Sequence, residues 1–220
     1  MLENTLQKTA LFKNIPETEI TDLLKNTRYK VSKFTKESLI AHAGDEINDM
    51  FILLEGTLEG AMLDFSGNKL KIEQLQGPML IAAAFVYGKK NRFPVNLLAK
   101  SDGSMLRIEK KSFTKLLLME SQLLINYMNI ISNKAQFLTE KITFLSFKTI
   151  RQKLAFFLLK QNQEVVEIKE SQSALAELFG VTRPSLARSI GELTNMGILT
   201  WDRKKVTIHQ PSELQNILME

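Results

Sequence analysis

Ser171-Gln-Ser-Ala-Leu-Ala-Glu-Leu-Phe-Gly180-Val-Thr-Arg-Pro-Ser-Leu-Ala-Arg188-Ser-Ile-Gly-Glu-Leu193 reads as two short helices joined by a tight turn. Leu175, Ala176 and Leu178 give the first helix an apolar face, with Ala176 small where the second helix crosses. Phe179-Gly180-Val181 makes the turn, and Gly180 is free to take a positive φ. Thr182 offers an oxygen to cap the second helix. Pro184 is tolerated in the first turn because its missing N–H would have no intrahelical partner there. Leu186, Ile190 and Leu193 point inward at helical spacing, which leaves Arg183, Ser185, Arg188 and Ser189 on the outer, N-terminal face. Two strands follow, Ile198–Trp201 and Val206–His209, with Asp202-Arg203-Lys204-Lys205 at the hairpin tip.

A second helix presented in this way fits the major groove of double-stranded DNA, where arginine grips guanine O6 and N7 together. A basic hairpin tip beside it would rest on phosphate. The candidate DNA-binding residues are therefore Thr182, Arg183, Pro184, Ser185, Arg188, Ser189, Arg203, Lys204 and Lys205. The bland alternative is a generic α-hairpin with solvated charges; the basic hairpin that follows separates the two. From residue 147 onward the chain carries ten Lys/Arg against eight Asp/Glu, so positive charge must act locally rather than as a broad basic surface.

Upstream of this module lie a helix (Lys148–Lys160), a polar break at Gln161-Asn-Gln and a short strand (Val165–Lys169); Ser212–Met219 closes the chain as a last helix. From Lys111 to about Leu145 a helical period persists. Leu124, Met128, Ile131, Ala135, Leu138, Ile142 and Leu145 alternate spacings of four and three, a heptad seam about 33 Å long at 1.5 Å per residue. A flanking row, Leu123, Ile130, Phe137 and Phe144, runs beside it with Tyr127 on its edge. The spacing predicts a dimerisation helix, one stripe facing a partner helix and the flanking row packing on the preceding domain. A core helix of a single subunit is the other reading.

Between Tyr29 and Ile108 the period falls to two. Turn signals recur at Ala43-Gly44-Asp45, Glu55-Gly56, Ser66-Gly67-Asn68, Gly77-Pro78, Tyr87-Gly88-Lys89 and Ser101-Asp102-Gly103, the spacing of short strands in a barrel or sandwich. Met50-Phe-Ile-Leu-Leu reads as a buried strand, and Lys69–Gln74 alternates charged and apolar residues. Residues 1–30 read as helical, from Leu2, Leu6 and Ala10 and from a second helix opening at Thr18 after Pro16. The fold class is thus α+β in three parts: a β-roll domain with N-terminal helices over 1–120, a dimerisation helix over 121–146 and a winged helix–turn–helix over 147–220.

Composition narrows the chemistry. The 220 residues include no cysteine and only two histidines, His42 and His209, which removes iron–sulfur clusters, thiol nucleophiles and most metal sets; no catalytic or metal site is expected. The formal charge of +5 is a mild lean toward polyanions. The N-terminus lacks the pattern of a secretory leader and no apolar run is long enough for a membrane span, so the chain reads as cytoplasmic and soluble, with no membrane partner.

The order of parts, with Ala43-Gly44-Asp45 and Ile52-Leu-Leu-Glu-Gly56 in the β region, a long helix and a terminal winged module, resembles the Crp/Fnr transcription regulators over nearly the whole chain. The resemblance implies a cyclic-nucleotide-binding-type β-roll, a homodimer, DNA as partner, and contact with RNA polymerase. It also implies that Arg183, Pro184 and Arg188 stand where many members carry Arg, Glu and Arg as base and phosphate readers. Pro184 departs from that pattern, since it cannot accept a hydrogen bond from cytosine N4.

The family's nucleotide-binding members have a Gly-Glu pair that holds the ribose and an Arg-Ser pair on the phosphate. Here Ile81 and Ala82 occupy the first positions, Phe93 replaces the serine, and only Arg92 remains; Leu138-Thr139 stands where cAMP-responsive members place a Thr-Ser pair on the base. The contacts for cAMP are missing, and the expected pocket is apolar: Met79, Leu80, Ile81, Ala82, Phe85, Phe93 and Leu138, with Arg92 and Thr139 at its polar edge. It reads either as a filled core or as a place for a lipophilic or other unknown small effector, and Arg92 either as an anion anchor or as a surface residue beside Lys89 and Lys90. No cofactor is expected; haem would need His, Cys or Met axial ligands, and here His42 reads as a strand residue before a ligand and the nine methionines as core filler. A second functional class, a small-molecule-binding β-roll protein acting through protein contacts without DNA, is distinguished from the first by Arg183, Arg188 and the basic hairpin.

Overall fold

The structure, a computed structural model, describes residues 2–63 and 69–219, so the turn read at Ser66-Gly67-Asn68 lies outside the described residues. The chain folds as two compact units that divide between Gln136 and Phe137.

The first unit opens with α1 (Leu2–Gln7) and α2 (Glu17–Lys25). The expectation that Ala10 continues the first helix is corrected. Thr9 Oγ1 bonds back to Leu6 O at 2.6 Å, competing with the helical ladder, and residues 8–14 turn with Asn14 at φ 64°. Eight strands follow: β1 (Tyr29–Phe34), β2 (Leu39–Ala41), β3 (Asp49–Glu55), β4 (Thr57–Leu63), β5 (Lys69–Gln76), β6 (Met79–Ile81), β7 (Asn96–Ala99) and β8 (Gly103–Glu109). They form two antiparallel sheets, ordered β1-β8-β3-β6 and β2-β7-β4-β5. Met50 to Leu54 is buried throughout, since β3 is an inner strand covered on both faces. β5, at a sheet edge, alternates as read, but among its described side chains only Leu75 is buried; Leu70 and Ile72 are exposed.

The helical period from Lys111 is carried by two helices, α3 (Lys110–Met119) and α4 (Ser121–Ser146), the second over the span read as the long helix. Glu120 breaks it with extended backbone, and its carboxylate accepts from the Gln122 N–H at 2.7 Å, capping the new helix. Leu123, Asn126 and Tyr127 form the buried face of α4, with Leu124, Ile130 and Ile131 half-buried against the same core. Asn126 Nδ2 donates to Leu11 O and Lys13 O, both at 2.8 Å, satisfying carbonyls that the irregular segment before α2 leaves without a ladder.

The second unit holds α5 (Ile150–Leu159), β9 (Val165–Glu167), α6 (Gln172–Phe179), α7 (Arg183–Asn195), β10 (Leu199–Asp202), β11 (Lys205–Ile208) and α8 (Pro211–Met219). Its core joins Leu154, Leu158, Phe179, Leu186, Leu193, Val206 and Leu214. Phe144 corrects the flanking-row expectation: it lies 5.0 Å, centroid to centroid, from Phe179, so it packs in this unit rather than on the β domain.

Closure of the first unit depends on a close approach at Gly103. A Cβ there would fall 2.2 Å from Glu55 O and 2.5 Å from Phe34 Cζ. Gly103→Ala is expected to cost about 1–3 kcal/mol by overpacking. Gly191→Ala, where a Cβ meets nothing within 4 Å inside α7, is expected to be neutral or mildly stabilising. Urea midpoints at unchanged slope measure both, and equal midpoints for the two variants would contradict the assignment.

Candidate nucleic-acid interface

α6 starts at Ser171, whose side chain accepts from the Ala174 N–H at 3.2 Å, and ends at Gly180 with φ 66°. The inward residues are Leu175, Ala176 and Phe179; Leu178, expected to be inside, is 57% exposed. Phe179 takes the place because it lies one turn on from Leu175, while Leu178 falls outside that stripe. Lys153 Nζ donates to Phe179 O at 2.8 Å, a cation seated on the carbonyl end of α6. Sequence reasoning missed this residue; a lysine on the preceding helix carries no signal of what it will cap.

α7 begins as expected. Thr182 Oγ1 accepts from the Ser185 N–H at 3.3 Å, and Pro184 stands in the first turn. Leu186, Ile190 and Leu193 are buried, while Arg183, Pro184, Ser185 and Arg188 are exposed. Pro184 and Arg188, one turn apart, share a face. Ser189 is corrected: it is 8% exposed and adjoins Ile190 and Leu193 on the inner stripe, so it is withdrawn from the outer face.

The hairpin strands are shifted by one residue from those expected, and the turn is Arg203-Lys204. Arg203 holds φ 52°, and Trp201 Nε1 donates to Arg203 O at 3.1 Å, bracing the tip from below. β9 adds to the hairpin as a third strand, in the order β10-β11-β9, and the Ile168 N–H donates to Lys204 O at 2.7 Å. Arg203, Lys204 and Lys205 are all exposed. Among the described residues no carboxylate pairs with Arg183, Arg188 or these three; elsewhere in the unit Arg151 Nε pairs with Glu192 at 3.6 Å. Five cations are thus free for an external polyanion.

On α4, Met128, Leu138, Ile142 and Leu145 of the heptad seam are exposed, Ile142 to 68%. Leu124 and Ile131 instead lean on the first core.

The pocket positions expected in the β domain are differently occupied. Ile81 and Phe93 are core residues, Phe93 meeting Phe51 edge-to-face at 5.5 Å; Leu80 is half-buried. Ala82 holds φ 53°, a strained conformation for alanine. Phe85, expected as lining, is exposed, because Val86 takes the buried place in that turn. Arg92 donates to Gly44 O at 2.8 Å and to Glu46 Oε1 at 3.0 Å, which places it in a surface ion pair rather than over an apolar pocket. Leu138 and Thr139 lie on α4 beyond the division between units. The turn after β6 is held by Tyr127, whose hydroxyl donates to Ala83 O at 2.8 Å; burial pushes its phenol up to about 12. These residues do not fit a cyclic nucleotide: no side-chain acceptor stands at Ala82 for a ribose, and the arginine is already engaged.

Residues 31–120 match the model of the cyclic nucleotide-binding domain, and residues 152–217 that of the Crp-like helix-turn-helix domain. The chain is 20% identical over 207 residues to the anaerobic regulatory protein of Bacillus subtilis (strain 168), covering 90% of this chain and 87% of that one. It is 17% identical over 187 residues to the cAMP-activated global transcriptional regulator CRP of Pasteurella multocida (strain Pm70), covering 81% and 90%. Among solved structures, a transcriptional regulator from Thermotoga maritima is 33% identical with a TM-score of 0.54, covering 58% of this chain and 97% of that one. The Thermus thermophilus catabolite activator protein shares the fold at 17% identity and a TM-score of 0.55, covering 96% and 98%.

Proposed function

Because the chain belongs to the Crp/Fnr family of transcription regulators, we propose that it works in the cytoplasm as a homodimeric, sequence-specific DNA-binding regulator and not as an enzyme. The observation that carries this reading is the row of unpaired cations on one helix end and one hairpin tip, Arg183 and Arg188 on α7 and Arg203 to Lys205 beside β11. The N-terminal half of α7 reads base edges in the major groove, and the hairpin rests on phosphate. Dimerisation runs along α4, whose exposed apolar residues a second copy would cover. Transcription is then altered by contact of the DNA-bound dimer with RNA polymerase. Cyclic AMP is not its effector, because Ala82 and Phe93 supply neither a ribose acceptor nor a phosphate-side hydroxyl.

Binding-site selection from random DNA followed by gel shifts tests the readout. Arg188→Ala is expected to cost about 1–3 kcal/mol and relax preference at one base pair per half-site. Lys204→Ala is expected to weaken all sequences alike and lower the salt slope by about one unit. Pro184 removes any strict demand for C·G at the position that a glutamate would read. Retained specificity in Arg188→Ala, with C·G still required there, would overturn the assignment of α7.

Ile142→Asp places a charge on the seam where the side chain is already solvated in the single chain, so folding should survive. Sedimentation is expected to show a dimer for the natural chain and a monomer-shifted species for the variant; the same species in both would remove α4 from the interface. Millimolar cAMP is expected to leave the melting temperature unchanged, although a ligand at 100 times its Kd would add about 2.7 kcal/mol. A clear thermal shift would contradict this reading of the pocket.

A further inference from the structure

We infer that the β domain carries a binding site for a small organic anion on Arg107, apart from the positions at 79–93. Arg107 lies in the middle of β8, directly opposite Phe51 on β3 and Lys30 on β1, so all three side chains leave the sheet on one face. The guanidinium carbon sits 5.2 Å from the Phe51 ring centroid. Its Nε is shut off from solvent and has no hydrogen-bond acceptor, and among the described residues no carboxylate pairs with the group. A charged donor left in this state is costly, and a small shift of the side chain toward an acceptor in the adjoining cavity would recover that cost. Lys30 adds to the cost, since like charges directly opposite across a ladder repel.

There is room for that anion. A cavity of about 730 Å³ runs along β8 between β1 and β2, with Arg107 at one end and Asp102 and Glu55 at the other. Four residue steps along the strand, from Gly103 to Arg107, span about 13 Å. Met105, between them on β8, lines it together with Leu39 and with Phe34, which lies opposite Gly103 at the carboxylate end. The volume lies in the range of small-molecule sites.

This arrangement selects a chemical class. A carboxylate takes the guanidinium in a charge-assisted pair, an apolar chain of about 10 Å lies on Phe34, Leu39 and Met105, and the far end meets the Glu55 and Asp102 carboxylates with the Lys33 ammonium beside them, a net negative charge. With that balance a neutral or ammonium terminus is favoured there over a second anion. The site takes an organic mono-acid, or a zwitterion with separated charges, in preference to the diacid of the same length. Ile81, Ala82, Arg92 and Phe93 do not line it, although the Phe51 ring touches both Arg107 and Phe93.

Isothermal titration of the full chain, without DNA, with octanoate, ω-aminooctanoate and suberate tests the proposal and is independent of the DNA assignment. Octanoate and ω-aminooctanoate are expected to bind, with suberate weaker by about tenfold. Arg107→Gln is expected to weaken octanoate by about tenfold or more, Arg107→Lys to restore part of the loss, and Glu55→Gln to narrow the suberate gap. Circular dichroism melting of each variant establishes that it is folded. No binding of any of the three acids, suberate binding as well as octanoate, or an Arg107→Gln variant that is folded and binds octanoate unchanged would each overturn the site.

Discussion

Two side chains, Asn126 and Tyr127, set the face that α4 turns to its own domain. Asn126 gives both amide hydrogens to Leu11 and Lys13 carbonyls, and Tyr127 gives its hydroxyl to the Ala83 carbonyl. Each bond ends on irregular backbone that has no other partner among the described residues, so rotating the helix would strand these carbonyls as well as expose Leu123. Gln122 Nε2 donates to Asn126 Oδ1 at 2.9 Å and holds the amide in its orientation. A helix has only so much circumference to bury. With this side committed, Met128 has no place in the core, and the stripe it belongs to is left for something outside the chain.

The second unit uses capping in place of such anchors. Its helices are short, and each is begun or ended by a named partner: Thr149 and Gln152 exchange a capping box on α5, Ser171 opens α6, Lys153 closes it, and Thr182 opens α7. The effect is to hold a poorly self-stable pair of helices in one geometry, which a reading surface needs more than it needs charge. Positive charge in this unit is modest, ten basic against eight acidic residues from position 147 on, but it is spent unevenly. Arg151 and Lys153 are engaged internally, whereas the cations of α7 and the hairpin tip are not.

In the β domain the same bookkeeping comes out differently at two arginines. Arg92 has satisfied partners in Gly44 and Glu46 and little left for a ligand. Arg107 has an aromatic ring below it and an Nε with no acceptor. Phe93, standing where the family's nucleotide-binding members carry a serine, packs on the Phe51 ring that Arg107 also covers. The Phe51 ring is thus shared between an edge contact with Phe93 and the guanidinium of Arg107.

The residues of α7 show how far sequence alone could go. Its cap at Thr182, the turn at Gly180, the proline in the first turn and the inward row Leu186, Ile190, Leu193 are local, set by backbone preference and a period of 3.6, and all were legible. So were the change of period at Tyr29 and the buried strand at Met50–Leu54. Residues at the border between faces were not legible: Ser189 turned inward, and Leu178 gave its place to Phe179, because the width of a buried stripe depends on what packs against it. Nor were partnerships across long stretches of chain. Arg92 with Glu46, Phe144 with Phe179, Asn126 with Leu11, and β9 with β11 join segments whose own sequences carry no mark of each other. Periodicity and capping act within a few residues and decide which elements form. Which polar group is left without a partner, as at Arg107, depends on every neighbour the fold brings near, and only the tertiary structure decides that.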